Sequence, residues 1–101
     1  MSEMKKMWAA LEAHQTIADK LGYGTQWARM CSERTAKAAN AARGAAWDAA
    51  KDARAAGGAA GWAAWAAEDV SWATVAEDAR SGEYAEQAID LITKANQGEQ
   101  S

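Results

Sequence analysis

One histidine, one cysteine and five arginines hold most of the side-chain chemistry of this 101-residue chain. His14 has no second histidine with which to share a metal, and Cys31 is the only thiol. A zinc site of the usual four-ligand kind cannot be assembled from that set. Arg29 and Arg34 flank Cys31 in sequence and could lower its pKa. No Gly-rich elbow surrounds it, however, and His14 falls on another helix. The expected roles are a small core thiol for Cys31 and a satisfied or half-exposed helix histidine for His14. The carboxylates come in pairs: Asp48/Asp52, Glu68/Asp69, Glu77/Asp78 and Glu83/Glu86. A two-metal carboxylate site on facing helices also needs Glu-x-x-His, which is absent. Asp48 and Asp52 beside Lys51 and Arg54 read instead as a solvated face with ion pairs one helical turn apart. The glycine-rich stretch at 57–62 lacks the lysine and the preceding strand of a phosphate-binding loop. No catalytic residue, cofactor or metal is assigned, and a non-enzymatic protein is expected.

Tryptophan is the more informative residue. Trp47, Trp62, Trp65 and Trp72, with Arg43 and Arg54, form the candidate contact set for a protein or a small ligand. A planar base can stack on an indole and pair with a guanidinium. The net charge of −3 and pI near 5.1 give no general attraction to nucleic acid or to anionic membrane.

These residues must be carried by helices. Alanine accounts for 29 residues, while Leu, Ile and Val together number 8, and proline is absent. Alanine is the best helix former but adds little transfer energy. Much of the apolar burial therefore falls to the aromatics, each of which covers roughly 150–250 Å². The pattern predicts an all-α single domain over 1–101, a small bundle of three to four helices. Met4, Met7, Trp8, Leu11, Ala18 and Leu21 share one stripe of a helix over 3–21. Gly22 can end it and Thr25 can cap the next. Further helices are expected over 26–56, 59–80 and 83–95, with Ser81-Gly82 as the last break.

The middle of the chain carries a close-packing seam. Ala42, Ala45, Ala49, Ala53, Ala56, Ala60, Ala63 and Ala67 recur at steps of 3 or 4 residues, close to the helical period of about 3.6. A stripe so small and flat lets helices approach more closely than the usual ~8–10 Å. Gly57-Gly58 leaves two readings open. In one, 26–80 is a single long helix, with Trp47, Trp65 and Trp72 opposite the alanine stripe and Trp62 about 60° away. In the other, the chain turns there and the two stripes belong to a helical hairpin.

A family resemblance accompanies Gly22-Tyr23-Gly24, Trp27, Met30-Cys31, Glu33-Arg34-Thr35 and Ala88-Ile89-Asp90-Leu91-Ile92. With these residues the chain resembles small Ala/Trp-rich helical accessory proteins of tailed bacteriophages over most of its length. It is more weakly similar to alanine-rich immunity proteins of bacterial toxin systems. Neither resemblance implies a catalytic residue. The first implies a protein that binds and inhibits a host or defence-system protein. A helix with two apolar faces needs two partners, either other helices of the same chain or a second copy, and in a chain so poor in large aliphatics a homo-oligomer, dimer or higher, is expected. The alternatives are an oligomer that sequesters a nucleotide messenger, or an immunity or structural protein. The longest uncharged run, Ala55 to Ala67, is too short for a span of about 20 apolar residues, and the N-terminus does not read as a signal peptide. A cytoplasmic location is expected.

Overall fold

The computed structural model describes residues 2–52, 58–76 and 79–100. They form six helices: α1 (Glu3–Ala13), α2 (Gln15–Leu21), α3 (Gly24–Glu33), α4 (Ala36–Asp52), α5 (Ala59–Val75) and α6 (Ala79–Gln100). The chain is all-α, with no strand among the described residues. Six helices replace the expected three to four because two of the anticipated helices are each interrupted by a single short break.

The first break is at His14. Its N–H donates to the Leu11 carbonyl at 3.1 Å, which tightens the end of α1 into a three-residue turn. The kink turns the ring inward, where both nitrogens find partners. The second break follows α3. Arg34 takes up a left-handed conformation (φ 56°), and its N–H closes on the Met30 carbonyl at 2.8 Å. Thr35 then caps α4, its Oγ1 accepting from the Ala38 N–H at 3.1 Å. Helical periodicity continued through Arg34, and so it hid this corner.

Gly22 ends α2 at φ 99°, as its position suggests. Thr25 is not a cap: α3 starts one residue earlier, at Gly24, with Tyr23 in the cap position. Gly24 is required by space, since a methyl group there would collide with the Asp19 carboxylate and backbone. Ser81-Gly82 is not a break either. Both lie inside α6, and the preceding helix already ends at Val75. Ser81 Oγ donates to the Ala73 carbonyl at 3.1 Å, so this serine satisfies the end of α5 and does not start a helix.

Between α4 and α5 the hairpin reading holds. Arg43 meets Glu68 and Trp47 meets Trp65, so residue numbers rise on one helix as they fall on the other. Trp72 against Tyr84 and Trp62 against Lys94 show the same antiparallel relation between α5 and α6. α5 is therefore the middle helix of three. Its seams are lined by alanine: Ala60, Ala63, Ala64 and Ala67 are buried, with Val70 in the same core. Of the expected seam residues, Ala42 is also buried, Ala45 and Ala49 are half-buried, and Ala53 and Ala56 lie outside the described residues, as do Arg54 and Gly57. On α4 the fully buried positions are Ala39, Ala42 and Ala46, because α3 packs on this helix as well as α5.

The larger side chains collect at the N-terminal end of the fold. α1 packs on α6 and α3 packs on α4. Met7, Leu11, Tyr23, Trp27 and Met30 are fully buried in the same core cluster as the alanines of α5. Trp27 Nε1 donates to the Leu11 carbonyl at 2.8 Å, so its polar atom is satisfied inside that core. Overpacking provides the test of the seam. Ala67→Leu adds a bulky branched side chain where α5 has no free surface, and it should cost roughly 1–3 kcal/mol in urea denaturation. A wild-type midpoint would mean that the helices are not in close contact there.

Candidate functional site

The outward arc of α5 is unlike the rest of the molecule. Positions 62, 65, 69 and 72 follow one another at steps of three and four residues and so share a face. Among the described residues, that face carries the large apolar side chains left exposed: Trp62 at 38% exposure, Trp65 at 49%, Trp72 at 53% and Val75 at 59%. α5 has 17 residues and is roughly 25 Å long, so the row runs along most of its length.

Each indole is held from the side by a neighbouring helix. Trp47 of α4 is half-buried and meets Trp65 edge-on, with centroids 5.6 Å apart and planes at 78°. Tyr84 of α6 stacks on Trp72 at 6.2 Å and 25°. Both distances fall in the favourable range of about 4.5–7 Å for aromatic pairs. Lys94 of α6 places its ammonium 5.1 Å from the Trp62 centroid, within the ~6 Å reach of a cation–π contact. These lateral contacts limit the rotamers of the row before any partner arrives.

Two hollows interrupt the face. One, of about 280 Å³, is lined by Trp47, Gly58, Gly61, Trp62 and Trp65. The space above Gly61 is open, whereas the Trp62 indole leans over Gly58. The other, of about 260 Å³, is more polar and is lined by Arg43, Asn40, Glu68, Ser71, Trp72 and their neighbours. Arg43 Nη1 lies 3.8 Å from the Glu68 carboxylate, and its Nε is buried without a hydrogen-bond partner.

The structure therefore brings Trp47, Trp62, Trp65, Trp72 and Arg43 onto one surface, while Arg54 lies outside the described residues. Lys94, Tyr84, Val75 and Asp69 belong to the same surface and were not anticipated. Asp69 and Val75 could have been found by extending the Trp62/Trp65/Trp72 stripe along α5. Tyr84 and Lys94 reach it only through the packing of α6.

The residues with the most reactive side chains lie elsewhere. His14 is buried, its Nδ1 2.7 Å from Asn96 Oδ1 and its Nε2 2.6 Å from the Tyr23 hydroxyl. An amide oxygen can only accept, so Nδ1 donates to Asn96, and Nε2 accepts from Tyr23. The ring also lies near those of Tyr23 and Trp27, at 5.8 and 4.9 Å between centroids. Cys31 lines a separate shallow hollow with Glu12, Gln15, Ala28 and Ser32. The expectation that Arg29 and Arg34 could activate this thiol is reversed. Burial pushes it up to about 11, Glu12 adds to the rise, and Arg34 offsets only part of it. Arg29 is turned to Glu33, at 3.2 Å. Among the described residues no three His, Cys, Asp or Glu side chains cluster as metal ligands, and no helix is long and apolar enough to cross a membrane.

Comparison with family models, with curated proteins and with solved structures finds no match to this chain.

Asp69 titrates abnormally on the tryptophan face. Burial pushes its carboxyl up to about 6, and the adjacent Glu68 carboxylate adds to the rise. A folded-state pKa above the ordinary 3.8 means that the native protein holds this proton more tightly than the unfolded chain. The stabilisation is complete below the ordinary value and is lost as pH rises through about 6. Asp69→Asn should therefore raise the melting temperature by a few degrees above neutral pH, with the gain shrinking towards pH ~4. An equal difference at both ends of that range, followed by circular dichroism, would contradict this assignment.

Proposed function

We propose that this chain is a non-enzymatic protein-binding accessory protein whose contact surface is the tryptophan face of α5. The observation that carries the reading is the row of Trp62, Trp65 and Trp72, left uncovered on the middle helix of the fold. Large exposed apolar patches rimmed by polar groups are characteristic of interaction surfaces. Tryptophan, tyrosine and arginine are the residues most enriched where binding energy concentrates, and Tyr84 and Arg43 border this row. Arg43, Glu68, Asp69 and Lys94 supply a polar rim that can fix orientation.

The resemblance to phage accessory proteins supports the biological form of this reading: inhibition of a host or defence-system protein in the host cytoplasm. Affinity capture from a bacterial lysate, read by mass spectrometry, tests it. One protein should be retained by the wild-type chain and lost by Trp65→Ser/Trp72→Ser. Retention by both forms, or by neither, would remove the proposal.

The hollow walled by Trp47, Trp62 and Trp65 favours a second reading, as a sequestering site for a small planar ligand. Its three indoles offer stacking surfaces, and Lys94 stands near Trp62 to meet a phosphate. A nucleotide of this kind should quench or shift tryptophan fluorescence on titration. A flat response across a panel of mono-, di- and cyclic nucleotides would leave only the protein-contact reading.

A further inference from the structure

We infer that the tryptophan face is self-complementary and that its occupant is a second copy of this chain, packed antiparallel, α5 on α5. The inference rests on the reading of this face as a protein-contact surface. Any action on a host protein would then be that of the dimer.

Two features of the face fit one another in reverse order. Trp72 and Val75 are its most exposed apolar side chains and stand towards the C-terminal end of α5. The aromatic hollow stands at the other end, at Gly58 and Gly61. The protrusions are three residues apart and so are the glycines. When two antiparallel helices set Trp72 against Gly61 of the second copy, Val75 comes to Gly58 without further adjustment. Both pairs are centred on the same point, between Ala66 and Ala67, so one two-fold axis generates all four contacts. A two-fold interface must match itself in this way. From hollow to protrusion the distance is 11 residues of helix, roughly 16 Å.

The local shapes agree with that register. The open space above Gly61, bounded by Trp47, Trp62 and Trp65, receives the Trp72 indole. Val75 lies beside the Trp62 ring where it leans over Gly58. Trp65 approaches the axis next to Glu68 of the second copy, and Glu68 brings its counter-charge, Arg43, with it. The two Asp69 side chains lie on either side of the axis, offset by five residues of helix or roughly 7.5 Å, and their like charge is a cost that the apolar burial has to exceed. That burial is large enough for a small dimer. At roughly 250 Å² per fully exposed indole, the uncovered parts of the three tryptophans amount to about 350 Å² per chain. Two chains contribute about 700 Å² from these indoles, to which Val75, Tyr84 and the α4 and α6 rims add, against the ~1,000 Å² that a biological interface should clear.

The test is the mass in solution of the full chain and two variants, by light scattering after size exclusion and by sedimentation from ~1 to 100 µM. The wild type should run at twice the 10.7 kDa of one chain. Gly61→Leu projects a side chain into the hollow from a position where an added Cβ meets nothing within 4 Å. Trp72→Ala removes the protrusion from an exposed position. Each should weaken dimerisation at least tenfold while keeping a helical, cooperative melt. Mixed together, the two variants should associate again. The Trp72 indole kept by the Gly61→Leu chain enters the hollow kept open by the Trp72→Ala chain, and the two substituted positions meet each other. A monomeric wild type, a dimer indifferent to both variants, or a mixture that stays monomeric would each overturn the inference. A monomer that still captures a host protein through Trp65 and Trp72 would overturn it while leaving the proposed function intact. A dimer that captures nothing would do the reverse.

Discussion

The close approach of α5 to both of its neighbours governs the rest of this structure. A helix bordered by alanine on two sides leaves no room for a large side chain in either seam. Such a seam is well packed but supplies little transfer energy per residue, because alanine has little apolar surface to bury. Four of the six tryptophans belong to α4 and α5, and the seam cannot hold them. They are placed on the outer arc, where Trp47, Tyr84 and Lys94 hold the row on α5 from its rims. The exposed aromatic face is thus a consequence of how the interior is built.

The missing bulk is supplied by α1 and α3 and by Tyr23 at the corner before α3. Met7, Leu11, Tyr23, Trp27 and Met30 form the part of the core with large side chains. His14 connects that region to the end of α6 through Asn96 and to the start of α3 through Tyr23. A buried polar group of this kind is costly unless its hydrogen bonds are made, and both ring nitrogens make them. Arg34 does a similar job at the surface. It closes α3 in a left-handed conformation, lies 5.1 Å over the Trp8 ring, and reaches Glu12 at 3.4 Å. Together these two polar residues fix how the N-terminal helices fold back over the three-helix layer.

Charge is distributed to match. Ion pairs such as Lys94 with Asp90 and Arg29 with Glu33 are exposed and span one helical turn, so each contributes little. Cys31 and Asp69 owe their displaced titration first to burial. For Cys31 the result is an unreactive thiol. For Asp69 it is a carboxylate set among tryptophans, where a further loss of solvent would favour the protonated form.

By itself the sequence determined the helical class, the alanine seam and the row of tryptophans carried by α4 and α5. These are local properties: the propensity of alanine, a period near 3.6, and the recurrence of Trp62, Trp65 and Trp72 at helical steps. Gly22 as a helix end belongs with them, because a left-handed residue is required there. What the tertiary structure decided was where the chain turns and which faces are covered. The breaks at His14 and Arg34 lie within an unbroken periodic pattern and exist because the His14 ring and the Arg34 guanidinium are satisfied by distant partners. Ser81 looks like a helix start but is used to finish α5, eight residues back. The tryptophans could have faced a hairpin core or a partner with the same spacing. The width of an alanine seam, which appears only when two helices are laid side by side, excluded them from the core.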